Sequence, residues 1–407
     1  MRASQSIAVA AALLLSNVCA TLVPARMQER ALEWVVKPKV FIISMFDPEG
    51  EAWYGVPEFD ILALNVTVPG FSPLYPDAHC TANGDVCQLT TGESEINAAT
   101  TIASLVRYPR FDLTTTYFMV AGIAGINPEV ATICSVTFAR YAIQVAMQYE
   151  FSQFEIPTNY TSGYIPQGSE SATEYPQSIY GTEVFEVNQN LQRLAVAFAK
   201  TAVLNDSDDA IVYRANYATA EIYAAGAKSP AVIECDVATS DNYFSGKILG
   251  EAFGNYTTLV TNGSGVYCST AQEDNATLEA MLRAAVDKLV DFGRIIIMRT
   301  ASDFDRPYPG EAATTNLLYS NQGAFEPAIQ NIYLAGIKVV EGILDGWNTT
   351  FAAGVNHTNY IGDIFGTLGG SPDFGPDSYN NNPVKRSVGK RSVKGRRGGV
   401  PVKVQLV

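Results

Sequence analysis

Near-continuous apolar runs alternate along this chain with amphipathic stretches. Residues 40–45 (Val40-Phe41-Ile42-Ile43-Ser44-Met45) read as a strand buried on both faces. Residues 95–106 have helical spacing with small residues on one face. Residues 116–120 (Thr116-Tyr117-Phe118-Met119-Val120) form another buried strand, ending in Gly122 and Gly125. This β–α–β alternation predicts an α/β layered fold, and it continues. Residues 133–145 mix apolar and β-branched positions, 183–204 read as a long helix, and 232–238 as a strand. A helix over 276–292, a strand over 294–298 and a helix over 327–344 complete the pattern. Between them, 149–180 is rich in Pro, Gly, Ser, Thr and Tyr and reads as a long loop, of the kind often used as a lid or binding loop. No internal repeat is visible.

Composition and charge divide the chain. Its 407 residues, 47% hydrophobic and 17% charged, suit a globular core. The longest apolar runs are 7–15 and 117–126, both short of the roughly 18–20 residues a spanning helix needs. Residues 383–407 carry eight basic and no acidic residues; without them 19 basic face 41 acidic side chains, a net charge of −22. Such a body repels nucleic acid and anionic membrane surfaces. The organisation expected is a signal peptide over 1–20, a connector over 21–36, one domain over 37–370 and a basic disordered tail over 371–407. The tail holds three dibasic pairs, which read as a solvated arm or as processing sites.

The opening Met1-Arg2, the apolar run and Val18-Cys19-Ala20 have the layout of a cleaved secretory signal, which predicts a secreted, extracellular or cell-wall-associated protein. Glycosylation sequons occur at Asn65, Asn159, Asn205, Asn255, Asn262, Asn348 and Asn356, with an eighth at Asn275. Cys80 and Cys87 flank the turn-forming 82–85 and suit closure by a disulfide. Cys235 with Cys268 is a further candidate pair, and Cys134, in an apolar run, reads as a buried free thiol. No Cys/His spacing suggests a metal site.

In open α/β sheets, ligands bind beyond the carboxyl ends of the strands. The segments that follow the strands here are Phe46-Asp47-Pro48-Glu49-Gly50-Glu51, Ala121 to Gly125, Ser240-Asp241-Asn242-Tyr243-Phe244, Gln272-Glu273-Asp274-Asn275 and Arg299 to Asp303. Together they offer backbone donors, carboxylates, an amide and aromatics, which suits a pocket for a sugar joined to a flat base. Taken singly, Gly122-x-x-Gly125 reads as a tight turn and Ser302-Asp303 as a helix cap.

The order of these segments resembles the nucleoside phosphorylase and 5′-methylthioadenosine/S-adenosylhomocysteine nucleosidase superfamily. The carrying residues are the opening strand into Met45, Asn97-Ala98-Ala99, Val120 to Gly125, Ala139-Arg140-Tyr141 and Arg299-Thr300-Ala301-Ser302-Asp303. Within it, the chain is most similar to the fungal purine nucleoside permeases. The resemblance implies a three-layer α/β/α nucleoside phosphorylase-like fold with a central mixed sheet. It also implies purine nucleosides (adenosine, guanosine, inosine) as ligands, no cofactor beyond phosphate as an optional co-substrate, and a homo-oligomer as a possible assembly. Asp303, beside Ser302, would protonate N7 of a departing purine, Tyr243 would stack on the base with Phe244 also in the substrate site, and Gly122 and Gly125 would line the sugar or phosphate side. Glu273 and Asn275 would hold ribose, unless Asn275 carries a glycan and Glu273 acts alone. Glu49 and Glu51 stand where phosphorylases often place a phosphate-binding Arg. A carboxylate there costs on the order of 1 kcal/mol against a phosphate at 4 Å, which favours water as nucleophile. The reading is therefore cleavage of the N-glycosidic bond, hydrolysis ahead of phosphorolysis. The alternatives are a non-catalytic nucleoside-binding component serving a separate membrane carrier, and a wall glycoprotein on an inherited fold.

Overall fold

The computed structural model describes residues 34–375. The expected signal peptide, the basic run from 383 and its dibasic pairs lie outside the described residues. The ordered body reaches past 370, because Phe374 is fully buried against Tyr141 and Tyr360. At the other end Val36 is buried and bridges to Phe111.

In chain order the strands are β1 (Val40–Ser44), β2 (Leu64–Thr67), β3 (Asp77–Cys80), β4 (Val86–Thr90), β5 (Tyr117–Ile126), β6 (Val136–Ala139) and β7 (Tyr141–Gln144). A separate hairpin, β8 (Gln148–Glu150) with β9 (Tyr164–Pro166), follows. Then come β10 (Val184–Glu186), β11 (Val232–Glu234), β12 (Asp236–Thr239), β13 (Tyr267–Ala271), β14 (Ile295–Phe304) and β15 (Gly362–Asp363). The sheet runs β15-β10-β7-β12-β13-β5-β1-β4-β3-β2, and β14 lies along the other edge of β5 and leads on to β6 and β11. It is mixed: β1 pairs β4 and β5 in parallel, β5 pairs β14 in parallel, and β2, β3 and β4 are antiparallel.

Helices α1 (Asp47–Glu51), α2 (Glu95–Leu105), α3 (Gln189–Ala199), α4 (Asp208–Ala215), α5 (Lys247–Val260), α6 (Asp274–Val286), α7 (Ala313–Leu318) and α8 (Phe325–Asp345) join the strands. Successive strand side chains point to opposite faces. Phe41 and Ile43 of β1, with Ile295 and Ile297 of β14, therefore enter one core with Ile102 of α2 and Met281 of α6. Val40 and Ile42, with Ile296 and Met298, enter the other with Leu191 of α3 and Ile332 of α8. Both faces of the sheet are covered, which is why these strands are apolar at nearly every position. The result is the expected three-layer α/β/α arrangement around a central mixed sheet.

Three expected elements differ. The helix expected over 183–204 is a short strand, β10, followed by α3, whose Asn188 side chain accepts from the backbone N–H of Asn190 and Leu191 and starts the helix. The strand expected over 232–238 changes partner at Cys235, which is disulfide-bonded to Cys268: β11 pairs β6, whereas β12 pairs β7 and β13. A second disulfide joins Cys80 and Cys87, and Cys134 is a buried free thiol. The third difference is Gly122-x-x-Gly125, which lies inside β5 rather than in a turn after it. Ten residues long, β5 pairs with β1 over Tyr117–Val120 and with β13 at Gly125 and Ile126. That change of neighbour opens the sheet at the carboxyl end of β1, and the main cleft lies there.

Candidate active site

The cleft has a volume of about 450 Å³. Its floor comes from α1, β5, β13 and β14, and its walls from the segments 240–245 and 316–325.

One pole is set by a β-bulge. In the β14–β5 register Ala301 faces Ala124 and Asp303 faces Gly125, which leaves Ser302 as the extra residue. Bulges re-aim side chains next to functional sites, and here Asp303 turns into the cleft instead of capping a helix. Ser302 Oγ donates to Asp303 Oδ1 at 2.7 Å, and Tyr243 OH donates to Oδ2 at 3.1 Å. Gly125 is needed beside this carboxylate, since a Cβ there would meet Thr270 Oγ1 at 2.5 Å and Asp303 Oδ2 at 3.4 Å. Burial raises the pKa of Asp303, opposed by the bonds from Ser302 and Tyr243, with the nearby Asp305 adding to the rise.

The other pole is a buried charge cluster. Glu49 accepts from the backbone N–H of Met45 through Oε2 and of Ile123 through Oε1, both at 2.7 Å. Gly122 makes room for it: a Cβ would lie 2.1 Å from Met45 Cε and 2.5 Å from Glu49 Oε1. Arg299, a lone cation within the apolar β14, donates through Nη2 to Asp274 Oδ2 at 2.7 Å and to Glu273 Oε2 at 3.2 Å, and through Nη1 to Ile123 O at 3.1 Å. Glu273 Oε1 also accepts from Ser94 N at 2.9 Å. One guanidinium thus stands among three carboxylates. Burial pushes the Glu49 carboxyl up to about 8; Arg299 opposes that rise, and Glu273 adds to it. Burial also raises Glu273, again against Arg299.

Several residues expected in the site are placed elsewhere. Asn275 is only 1% exposed, and its Nδ2 donates to the backbone carbonyls of Thr182 and Ala142, which ties α6 to β7. It does not line the cleft, and a buried amide so engaged offers no site for a glycan. Glu51 is exposed at the end of α1 and does not line the cleft. Gly122 lies behind Glu49 rather than on the sugar side. Tyr243 lines the cleft, but its ring is 64% exposed and its hydroxyl rests on Asp303; Phe244, also lining it, packs edge-on against Phe253 at 4.7 Å. No residue of 149–180 lines the cleft.

Residues that sequence reasoning assigned no role also line it: Met45, Phe46, Glu93, Arg299 and the segment 316–325. That segment is held by Gln322, whose Oε1 accepts from Phe304 N at 2.7 Å, and by Asn316, whose Nδ2 donates to Phe304 O at 3.0 Å. Nothing local in the sequence marks it. Arg299 did carry a signal, because a charge inside an apolar strand needs buried partners. Among the described residues no group of three or more His, Cys, Asp or Glu has metal-holding geometry.

The cleft lies at the carboxyl ends of parallel strands, where open α/β sheets bind their ligands, with a clasped carboxylate at one pole and a carboxylate–guanidinium cluster at the other. Residues 37–356 match the family described as purine nucleoside permease. A purine nucleoside permease of Candida albicans is 46% identical over 351 residues, covering 85% of each chain. A probable purine nucleoside permease of Schizosaccharomyces pombe is 40% identical over 336 residues, covering 81% of this chain and 95% of its own. This chain belongs to the purine nucleoside permease family, as its motifs imply. Among solved structures, the 5′-methylthioadenosine/S-adenosylhomocysteine nucleosidase of Neisseria meningitidis, in complex with methylthio-immucillin-A, matches with a TM-score of 0.43 and 14% identity, covering 75% of this chain and 99% of that one.

Proposed function

We propose that this protein binds purine nucleosides in the cleft and cleaves their N-glycosidic bond with water. The observation that carries the reading is Asp303, a carboxyl group raised in pKa by burial and turned into the cleft by the β14 bulge, opposite a second carboxyl, Glu49, poised near neutral pH. Asp303 gives its proton to N7 of the purine, and the bond between the base and C1′ breaks with the electron pair leaving on the base. Water adds its oxygen to C1′ and its proton passes to Glu49 in its ionised form, which with a pKa of about 8 is the minor form at neutral pH, so the products are free base and ribose. The positive charge that develops on ribose is stabilised by the carboxylates of that pole. Water suits the site better than phosphate. Arg299, the one cation lining the cleft among the described residues, is already bonded to Glu273 and Asp274. No cofactor enters this scheme.

The reading extends to the compartment. Two disulfides, six exposed sequons (Asn65, Asn159, Asn255, Asn262, Asn348 and Asn356) and a half-buried seventh, Asn205, support secretion, as does the signal-like start. Among the described residues no helix is long and apolar enough to cross a membrane, and the part in uptake proposed here is the binding or cutting of nucleosides. One observation favours a second reading, capture of nucleosides for a separate membrane carrier. The donors on Asp303, Ser302 and Tyr243, both favour its ionised form. Incubation of the purified protein with inosine and adenosine separates the two: free base is expected from the wild type and about 10²–10⁴-fold less from Asp303→Asn. Tight binding with no base released by the wild type would leave only the capture reading.

A further inference from the structure

The two hydrogen bonds on Asp303 are unequal. The one from Ser302 is 2.7 Å long and comes from the adjacent residue of the same bulge. The one from Tyr243 is 3.1 Å, longer than an O–H donor to a carboxylate prefers, and it comes from an exposed ring on a separate segment. That segment is anchored at both ends. At its start, Asp241 Oδ1 accepts from Ser94 Oγ at 2.7 Å and from Glu95 N at 2.8 Å. At its end, Gly246 N donates to Asp305 O at 2.9 Å, from a φ of +133° that side-chain-bearing residues rarely adopt. Tyr243 reaches over the cleft between these anchors and touches the oxygen that Gly125 leaves open.

We propose that Tyr243 is a displaceable cap on Asp303, with which the entering purine must exchange places, so that filling the cleft itself loads the proton donor. This rests on the reading that the cleft takes purine nucleosides. With the cleft empty, Asp303 as a carboxylate accepts from both hydroxyls. Purine N7 is also an acceptor, so it can stand against Asp303 only when a proton lies between them. That proton comes from solvent as the phenol is released, and each binding event takes up one proton. The charged groups around Asp303 set the background: Asp305 just past the end of β14, bonded to Arg306 and Tyr267, with Glu49, Glu93, Glu273 and Arg299 lining the same cleft. None of them replaces the Tyr243 bond.

The test uses aristeromycin, the adenosine analogue whose sugar oxygen is replaced by carbon, which keeps N7 but cannot form an oxocarbenium ion. Its binding to the full chain is measured calorimetrically at neutral pH in two buffers of different ionisation enthalpy, which reports proton uptake. The wild type is expected to take up close to one proton. Tyr243→Phe, in which no phenol has to be displaced, is expected to bind about tenfold tighter, the equivalent of about one pKa unit. No proton uptake by the wild type, or equal affinity in the two proteins, would overturn the cap. Weaker binding by Tyr243→Phe would overturn it as well, by making the phenol a ligand contact. If the wild type bound neither aristeromycin nor adenosine, the nucleoside reading would fall first and the cap with it.

Discussion

At one end of the cleft Glu49, Glu273, Asp274 and Arg299 are all buried; Glu49, Glu273 and Arg299 each have at least two partners, and Asp274 is bonded to Arg299 through both of its oxygens. At the other, Asp303 is only half-buried and owes one of its two bonds to an exposed tyrosine. The first arrangement is rigid, because any displacement leaves a buried charge unpaired. The second is exchangeable, because the freed groups are reached by water or ligand. The difference suits a site in which the sugar and the attacking water need fixed electrostatics, whereas the proton donor must trade its resting partner for the base.

The comparison breaks first at Asp303. Asp303→Asn is expected to lower base release by about 10²–10⁴-fold, the usual contribution of a general acid, with nucleoside binding largely kept; rate and binding assays on the same preparation check it. Next is Arg299→Met, which strands Glu273 and Asp274 and is expected to destabilise the fold by about 3–5 kcal/mol in urea unfolding. A Tyr243→Phe chain should match the wild type in that assay if only one end is rigid.

Smaller is a pH effect from Glu49. Its folded pKa of about 8 lies above the ordinary 4.5, so between these values the folded chain holds a proton that the unfolded chain has lost. The stability this contributes is full below 4.5, falls as pH rises and is gone above about 8. Its size is on the order of a few kcal/mol. Thermal melts across that window should show the decline in the wild type and a flatter profile in Glu49→Gln.

The smallest effect is expected at Ser94, whose φ of 82° and ψ of 157° lie in a region that glycine alone occupies readily. Ser94→Gly keeps the N–H to Glu273 and relieves strain, so its stability should stay within about 1 kcal/mol of the wild type. Ser94→Ala loses the bond to Asp241 and keeps the strain, so it should be the less stable of the two in the same assay.

The core strands were legible in the sequence because β1, β5 and β14 are apolar on both faces, a pattern that needs no tertiary information. The motif around Asp303 was legible as chemistry but not as geometry, since the bulge at Ser302 arises from pairing with β5. Glu49 and Glu51 looked equivalent, as did Glu273 and Asn275. Residues two apart in a helix differ by about 200° in direction, so Glu49 faces the cleft and Glu51 does not; Glu273 precedes α6 and lines the cleft, whereas Asn275, inside the helix, is bonded to Thr182 and Ala142. The wall over 316–325 was not legible, because it reaches the site through contacts with Phe304 that no local pattern encodes. The cap by Tyr243 joins residues 60 positions apart and was hidden for the same reason.

Hydrolysis is tested most directly by the fate of oxygen when inosine is incubated with the wild type in ¹⁸O-labelled water, with and without phosphate. Hypoxanthine and ribose labelled at C1 are expected at equal rates under both conditions. Ribose 1-phosphate as the product, or no hypoxanthine under either condition, would contradict hydrolysis.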